Sequence, residues 1–143
     1  MDKRPLILIV EDDDPVAAMI EDFLATSNFR TARARDGREA VTRARELWPD
    51  LIVMDLMMPR LTGGEAANEL RRDPLTNRIP ILAISAVADV TAIAEMLPLD
   101  AVLPKPFDLD DLAAAIDRLL AASAYIGATI TPPAVERGGQ PVA

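Results

Sequence analysis

Short apolar runs separated by amphipathic stretches are the first pattern in this chain. Three of these runs are rich in β-branched residues and wholly apolar, which is typical of strands buried on both faces of a sheet: residues 6–10, 51–54 and 81–84. Residues 29–33 alternate and carry arginines, which indicates an edge strand. Residues 101–103 are apolar and predict a short fifth strand.

The segments between these runs carry helical signals. Apolar residues recur every three or four positions over residues 16–24, and we expect Asp14 to cap that helix. The second helix should place Trp48 on its inner face. Thr62 and Glu65 have the spacing of a capping box, which predicts the start of the third helix.

Strand and helix alternate five times, which predicts one α/β domain with a parallel sheet and helices on both of its faces. The pattern ends near residue 122. Residues 123–143 contain six glycines and prolines that break any periodicity. We therefore expect a domain over residues 1–122 and a disordered tail over residues 123–143.

Composition removes several classes of chemistry. The sequence has no cysteine and no histidine, which excludes thiolate nucleophiles, His-based catalysis and zinc sites built from these residues. A net charge of −8 opposes binding to a phosphate backbone, and 3% aromatic residues offer few stacking surfaces, so we expect no nucleic-acid partner. No apolar run reaches the length of a membrane span, and we expect a cytoplasmic protein without membrane insertion.

Polar residues follow four of the predicted strands. Glu11 and Asp12 follow the first, Asp55 ends the third, Ser85 ends the fourth and Lys105 follows the fifth. Each alone has an ordinary interpretation as a cap, a turn hydroxyl or a surface lysine. Open α/β sheets bind ligands at the carboxyl ends of their strands, and clustered carboxylates repel each other unless a cation neutralises them. Together, these residues indicate a site for a hard cation such as Mg²⁺.

Over residues 6 to about 120, the chain resembles the receiver domain of two-component response regulators. The resemblance is carried by Ile-Leu-Ile-Val-Glu-Asp-Asp at 7–13, Asp-Leu-Ile-Val-Met-Asp-Leu-Met-Met-Pro at 50–59, Pro-Ile-Leu-Ala-Ile-Ser-Ala at 80–86 and Lys-Pro-Phe at 105–107. It implies a flavodoxin-like (βα)5 fold, doubly wound, with strand order 2-1-3-4-5.

The resemblance also implies roles for the acidic residues. Asp55 corresponds to the phospho-acceptor. Glu11 and Asp12 correspond to the pair that holds Mg²⁺ together with Asp55, and Met57 would offer its backbone carbonyl to the metal.

Two further positions match groups that contact the phosphoryl oxygens. Ser85 would donate a hydrogen bond and Lys105 would provide a positive charge, with a cis peptide bond between Lys105 and Pro106. Val102 departs from the family, which usually has an aromatic residue there and uses its rotation in the switch, and Val102 is expected in the core.

The resemblance implies Mg²⁺-dependent phosphoryl acceptance on Asp55 from a sensor histidine kinase or a histidine phosphotransfer protein, followed by a changed affinity for a downstream protein. Beyond gaining and losing this group, we expect no enzyme activity. A degenerate receiver that acts as a phosphorylation-independent interaction module remains an alternative. An aspartyl-phosphate phosphohydrolase fits less well, since that class usually has an aspartate where Met57 stands.

About 20 residues follow the predicted domain, too few for an output domain, so we expect a stand-alone or excised receiver. Apolar residues crowd the segment 90–97, where we expect a homodimer or another partner contact.

Overall fold

The structure is a computed structural model, and it describes residues 2–57, 62–86, 90–124 and 134–135. The helices and strands follow each other in the order β1 (Leu6–Val10), α1 (Asp14–Thr26), β2 (Arg30–Ala34), α2 (Gly37–Leu47), β3 (Leu51–Asp55), α3 (Gly63–Arg72), β4 (Ile81–Ser85), α4 (Val90–Met96), β5 (Ala101–Pro104), α5 (Leu109–Ser123) and β6 (Ala134–Val135).

The strands form one parallel sheet in the order β2-β1-β3-β4-β5-β6. The predicted order 2-1-3-4-5 and the flavodoxin-like fold are confirmed. The sequence did not predict β6, in which Ala134 and Val135 pair with the first half of β5. Residues 125–133 and 136–143 of the predicted tail lie outside the described part of the chain, so its disorder stays a prediction.

Two apolar layers cover the sheet, and alternate residues of each central strand point into them. Leu8 and Ile52 pack with α2 and α3 on one face. Ile9 and Val53 pack with α1 and α5 on the other. Because both faces are covered, these strands have no polar side, which is why they are continuous apolar runs in the sequence.

The ends of α1 and α2 differ from the sequence prediction. Asp13, not Asp14, caps α1, and its carboxylate accepts the Val16 N–H at 3.1 Å. Asp14 is the first residue of the helix and forms ion pairs instead. Trp48 caps α2 in a left-handed conformation with a φ of 47°, which turns its side chain outward and leaves it 66% exposed. Its predicted place on the inner face is therefore wrong.

Three other local predictions are confirmed. The Glu65 N–H donates to the Thr62 hydroxyl at 3.2 Å, and the Thr62 N–H donates to the Glu65 carboxylate at 3.3 Å, which completes the capping box of α3. Val102 is fully buried in the core. The Lys105–Pro106 peptide bond is cis.

Arg71, near the end of α3, joins three parts of the chain. Its guanidinium donates to the carbonyl of Asn77 at 3.1 Å and to that of Ile79 at 2.8 Å, just before β4. It also donates to the carbonyl of Pro98 at 3.0 Å and forms an ion pair with Asp100, both between α4 and β5. One side chain thus fixes two connections against the end of α3.

The apolar segment around α4 is only partly on the surface. Ile93 and Leu97 pack against the core, whereas Met96 is 79% exposed. The side chain of Val90 lies outside the described part of the chain. The predicted homodimer or partner contact at this segment remains a prediction. None of the described helices is both long enough and apolar enough to cross a bilayer.

Candidate functional site

The predicted site residues lie at one end of the sheet, where the parallel strands terminate. Glu11 directly follows β1, and Asp55 is the last residue of the adjacent strand β3. Ser85 is the last residue of β4, and Lys105 directly follows β5. The strand order therefore gathers residues that are far apart in sequence at the carboxyl edge, as the sequence predicts.

Three carboxylates converge at this edge. Glu11, Asp12 and Asp55 each offer one oxygen, and these oxygens lie within 4.8 Å of one another. Glu11 and Asp55 are buried, with 5% and 6% exposure, whereas Asp12 is exposed. Oxygen ligands of this kind, open to solvent on one side, suit a hard divalent cation that keeps several water molecules.

The acidic cluster carries an electrostatic cost. Burial, and then the negative charge of Asp55, raise the pKa of Glu11 from 4.5 to about 7. The Asp13 N–H donates to the Glu11 carboxylate at 3.3 Å, and it acts in the opposite direction by favouring the charged form. A cation that neutralised the cluster would remove much of this repulsion, so the donor set fits Mg²⁺.

Asp55 is held by partners on both of its carboxylate oxygens. The Met57 N–H donates to Oδ1 at 2.9 Å, and the Lys105 ammonium lies 3.3 Å from Oδ2. Lys105 is thus where the sequence predicts it, beside the acceptor candidate. Met57 contributes its N–H to Asp55, and its predicted role as a carbonyl ligand of the metal stays a prediction.

The backbone links Ser85 to Lys105. The Ser85 carbonyl accepts the Lys105 N–H at 2.8 Å. The register partner of Ser85 is Pro104, and Lys105, the next residue along the chain, makes the ordinary ladder bond of a parallel pair. Ser85 is fully buried at the floor of this edge. The contact that its hydroxyl would make with a phosphoryl oxygen stays a prediction.

One residue near the site was not predicted from the sequence. The Arg33 guanidinium donates to the Glu11 carbonyl through Nε at 3.2 Å and through Nη2 at 2.9 Å. Its Nη1 lies 2.6 Å from the Asp14 carboxylate. The alternation in β2 indicated only an exposed edge strand, and the position of Arg33 next to the predicted acidic loop depends on the pairing of β1 with β2.

The sheet is parallel and doubly wound, and an acidic cluster lies at the ends of its central strands. These features define a flavodoxin-like α/β domain with a candidate cation site. The model of the response regulator receiver domain family matches residues 7–117. The chain belongs to this family and is a receiver domain of the type found in two-component response regulators.

Individual relatives agree with this family. The regulatory protein AtoC of Escherichia coli (strain K12) is 36% identical over 116 residues, which is 80% of this chain but only 25% of AtoC. The structure of a putative response regulator from Chloroflexus aurantiacus J-10-fl is 34% identical, with a TM-score of 0.78 over 83% of this chain and 99% of the other.

A third relative bears on the metal. The receiver domain of the sensor histidine kinase PA1611 from Pseudomonas aeruginosa PAO1 is 29% identical, with a TM-score of 0.76 over 82% of this chain and 98% of that one. That structure has a magnesium ion coordinated in its active site cleft.

Proposed function

We propose that this domain accepts a phosphoryl group on Asp55 in the presence of Mg²⁺ and then changes its affinity for a protein partner. The convergence of Glu11, Asp12 and Asp55 within 4.8 Å, with the Lys105 ammonium on Asp55, is the observation that carries this proposal. The magnesium in the related PA1611 receiver domain supports the same cation here.

The transfer itself is a nucleophilic displacement at phosphorus. A carboxylate oxygen of Asp55 forms the new O–P bond while the bond from phosphorus to the donor breaks, and the electron pair leaves with the donor. The donor is a phosphohistidine or a small acyl phosphate, and the product is an acyl phosphate on Asp55. Lys105 and Ser85 would contact the phosphoryl oxygens as the negative charge on these oxygens shifts.

The cation would neutralise the remaining negative charge. Glu11 and Asp12, together with Asp55, would hold Mg²⁺, which supplies a positive charge next to the incoming phosphoryl group. Because these 143 residues contain no histidine, a phosphohistidine donor has to lie outside this domain. A sensor histidine kinase or a histidine phosphotransfer protein provides that chemistry, and a downstream protein would read the phosphorylated state.

We further propose that the domain has no separate substrate to turn over. Met57, two residues after the acceptor, is 66% exposed and offers no acid or base in its side chain. A phosphohydrolase with an aspartyl-phosphate intermediate would use such a group to activate water.

Labelling with acetyl phosphate tests the proposal. The unmodified chain should gain one phosphoryl group by intact mass in Mg²⁺ and none in a chelator, and Asp55→Asn should gain none. Asp22→Asn, the same chemical change at an exposed position of α1, should label normally. Labelling of Asp55→Asn would contradict the acceptor assignment. No labelling of the unmodified chain by acetyl phosphate or by a phosphorylated histidine kinase would favour a phosphorylation-independent interaction module.

A further inference from the structure

Arg33 spans the loop that carries the acidic pair. Two of its N–H groups meet the Glu11 carbonyl, and a third nitrogen meets the Asp14 carboxylate at the start of α1. The Arg33 side chain is 20% exposed, whereas that of Asp14 is 62% exposed, so the ion pair itself faces solvent. The backbone adds a further anchor, since the Glu11 N–H donates to the Ala34 carbonyl at 3.0 Å.

The position of the Glu11 carbonyl affects the geometry of the acidic pair. It belongs to the planar peptide unit that joins Glu11 to Asp12, so its direction sets how the two residues are oriented relative to each other. A guanidinium is a rigid planar fork, and two N–H contacts to one oxygen fix that direction more firmly than a flexible ammonium could. The contact with Asp14 ties the same fork to the first turn of α1.

We propose that Arg33 is a positioning residue for the metal site: it holds the Glu11–Asp12 peptide unit so that both carboxylates meet that of Asp55. This inference rests on the proposed function, because it assigns Arg33 to the residues that would hold Mg²⁺. It adds a residue of β2 to a site otherwise built from the ends of β1, β3, β4 and β5.

Charge and geometry predict opposite effects when Arg33 is replaced. A positive charge close to the acidic cluster opposes the entry of another cation, so its removal alone would tighten Mg²⁺ binding. Loss of the two contacts to Glu11 loosens the peptide unit and weakens binding. Removal of groups that orient metal ligands typically costs ~10–100-fold in affinity. The sign of the change therefore separates positioning from simple electrostatics.

Arg35 provides a matched control. Its Nη1 lies 3.3 Å from the same Asp14 carboxylate, but its side chain is 63% exposed. Arg35→Gln removes the same charge from the same neighbourhood and leaves the contacts between Arg33 and Glu11 in place. Arg33→Lys keeps the charge and removes the fork.

The experiment measures the Mg²⁺ dissociation constant of the full chain by calorimetry, with circular dichroism to verify the fold. We expect Arg33→Gln to raise the constant about tenfold, Arg33→Lys to raise it by a smaller factor, and Arg35→Gln to leave it unchanged or lower it. The Mg²⁺ concentration for half-maximal labelling should rise in parallel, while the rate at saturating Mg²⁺ stays close to that of the unmodified chain.

Suppose that the unmodified chain binds Mg²⁺ and that Arg33→Gln has an unchanged or lower dissociation constant. This result would overturn the inference about Arg33 and leave the proposed function standing. If Arg33→Gln does not fold, the Mg²⁺ affinity of Arg33→Lys provides the test. Weaker Mg²⁺ binding than in the unmodified chain supports the inference, and equal binding overturns it. Failure of the unmodified chain to bind Mg²⁺ would overturn the proposed function and this inference with it.

Discussion

Removing the negative charge of Glu11 should stabilise the metal-free protein by an amount that depends on pH. In the folded state, burial and the neighbouring Asp55 raise the pKa of Glu11 to about 7, against an ordinary value of 4.5. Between these two values the folded chain holds a proton that the unfolded chain has lost. The free energy of unfolding therefore falls as the pH rises through this range.

The size of the effect follows from the two pKa values. Their difference corresponds to about 3 kcal/mol once Glu11 is fully ionised in both states. From about pH 5 to about pH 8, the linkage relation gives a loss of roughly 2–3 kcal/mol. Glutamine is similar in size and has no charge to lose, so Glu11→Gln should gain roughly that much relative to the unmodified protein at the higher pH. The two should differ by less than about 1 kcal/mol at the lower pH.

Guanidinium chloride unfolding, followed by circular dichroism in a chelator across this pH range, measures the difference. Glu46→Gln is the control, because it makes the same chemical change at an exposed position of α2. Added Mg²⁺ should reverse the order at high pH, since a ligand stabilises only the state that binds it and Glu11→Gln has lost a ligand. Parallel pH curves for Glu11→Gln and the unmodified protein would refute the reasoning.

Three further changes test other features. Gly63→Ala would bring a Cβ within 2.6 Å of the carbonyl oxygen of the last β3 residue and should cost about 1–3 kcal/mol in denaturant unfolding. In contrast, Gly64→Ala, whose nearest neighbour is a leucine side chain at 3.3 Å, should change stability by less than about 1 kcal/mol. Arg71→Met should cost about 3 kcal/mol in the same assay, because it leaves several carbonyl and carboxylate oxygens without their hydrogen-bond donor. Arg72→Met, at an exposed site, should cost less than about 0.5 kcal/mol. Met57→Asn would place a hydrogen-bonding group beside the acceptor and should accelerate loss of the phosphoryl group, after donor removal in Mg²⁺, by about tenfold or more. An unchanged decay rate would contradict this last expectation.

Local sequence patterns predicted the central strands because the residues of each strand reflect the burial of both its faces. β1, β3 and β4 are buried on both faces, so their positions favour apolar residues, except the last of β3 and of β4, where Asp55 and Ser85 stand. Their order in the sheet depends on contacts between distant segments, and it came from the family resemblance instead. β6 has only two residues, Ala134 and Val135, and such a short strand has no periodicity to detect.

The cap of α1 shows the same limit at a single position. Asp13 and Asp14 are both good capping residues, and the sequence alone does not separate them. The backbone turn selects Asp13, while Arg33 from another strand pairs with Asp14. The prediction for Trp48 was wrong because the apolar spacing of α2 extends to this residue, whereas the helix ends at Leu47 and Trp48 adopts the left-handed conformation.

The acidic site could be predicted because the carboxyl ends of parallel strands share one edge. Glu11, Asp55 and Lys105 each stand next to an apolar run, and the sheet brings them together. The contact of Arg33 with the Glu11 carbonyl could not be predicted in this way, since it joins a side chain to the backbone of another strand.

The contacts of Arg71 also determine how α4 could move. They clamp Pro98 and Asp100, just beyond the C-terminal end of this helix, to the end of α3. The N-terminal end of α4 instead follows Ser85, the last residue of β4, by five positions in the chain. A helix that is fixed at its C-terminal end can rotate only about that end. A displacement that began at Ser85 would thus swing the start of α4 through the largest arc and leave its end almost still.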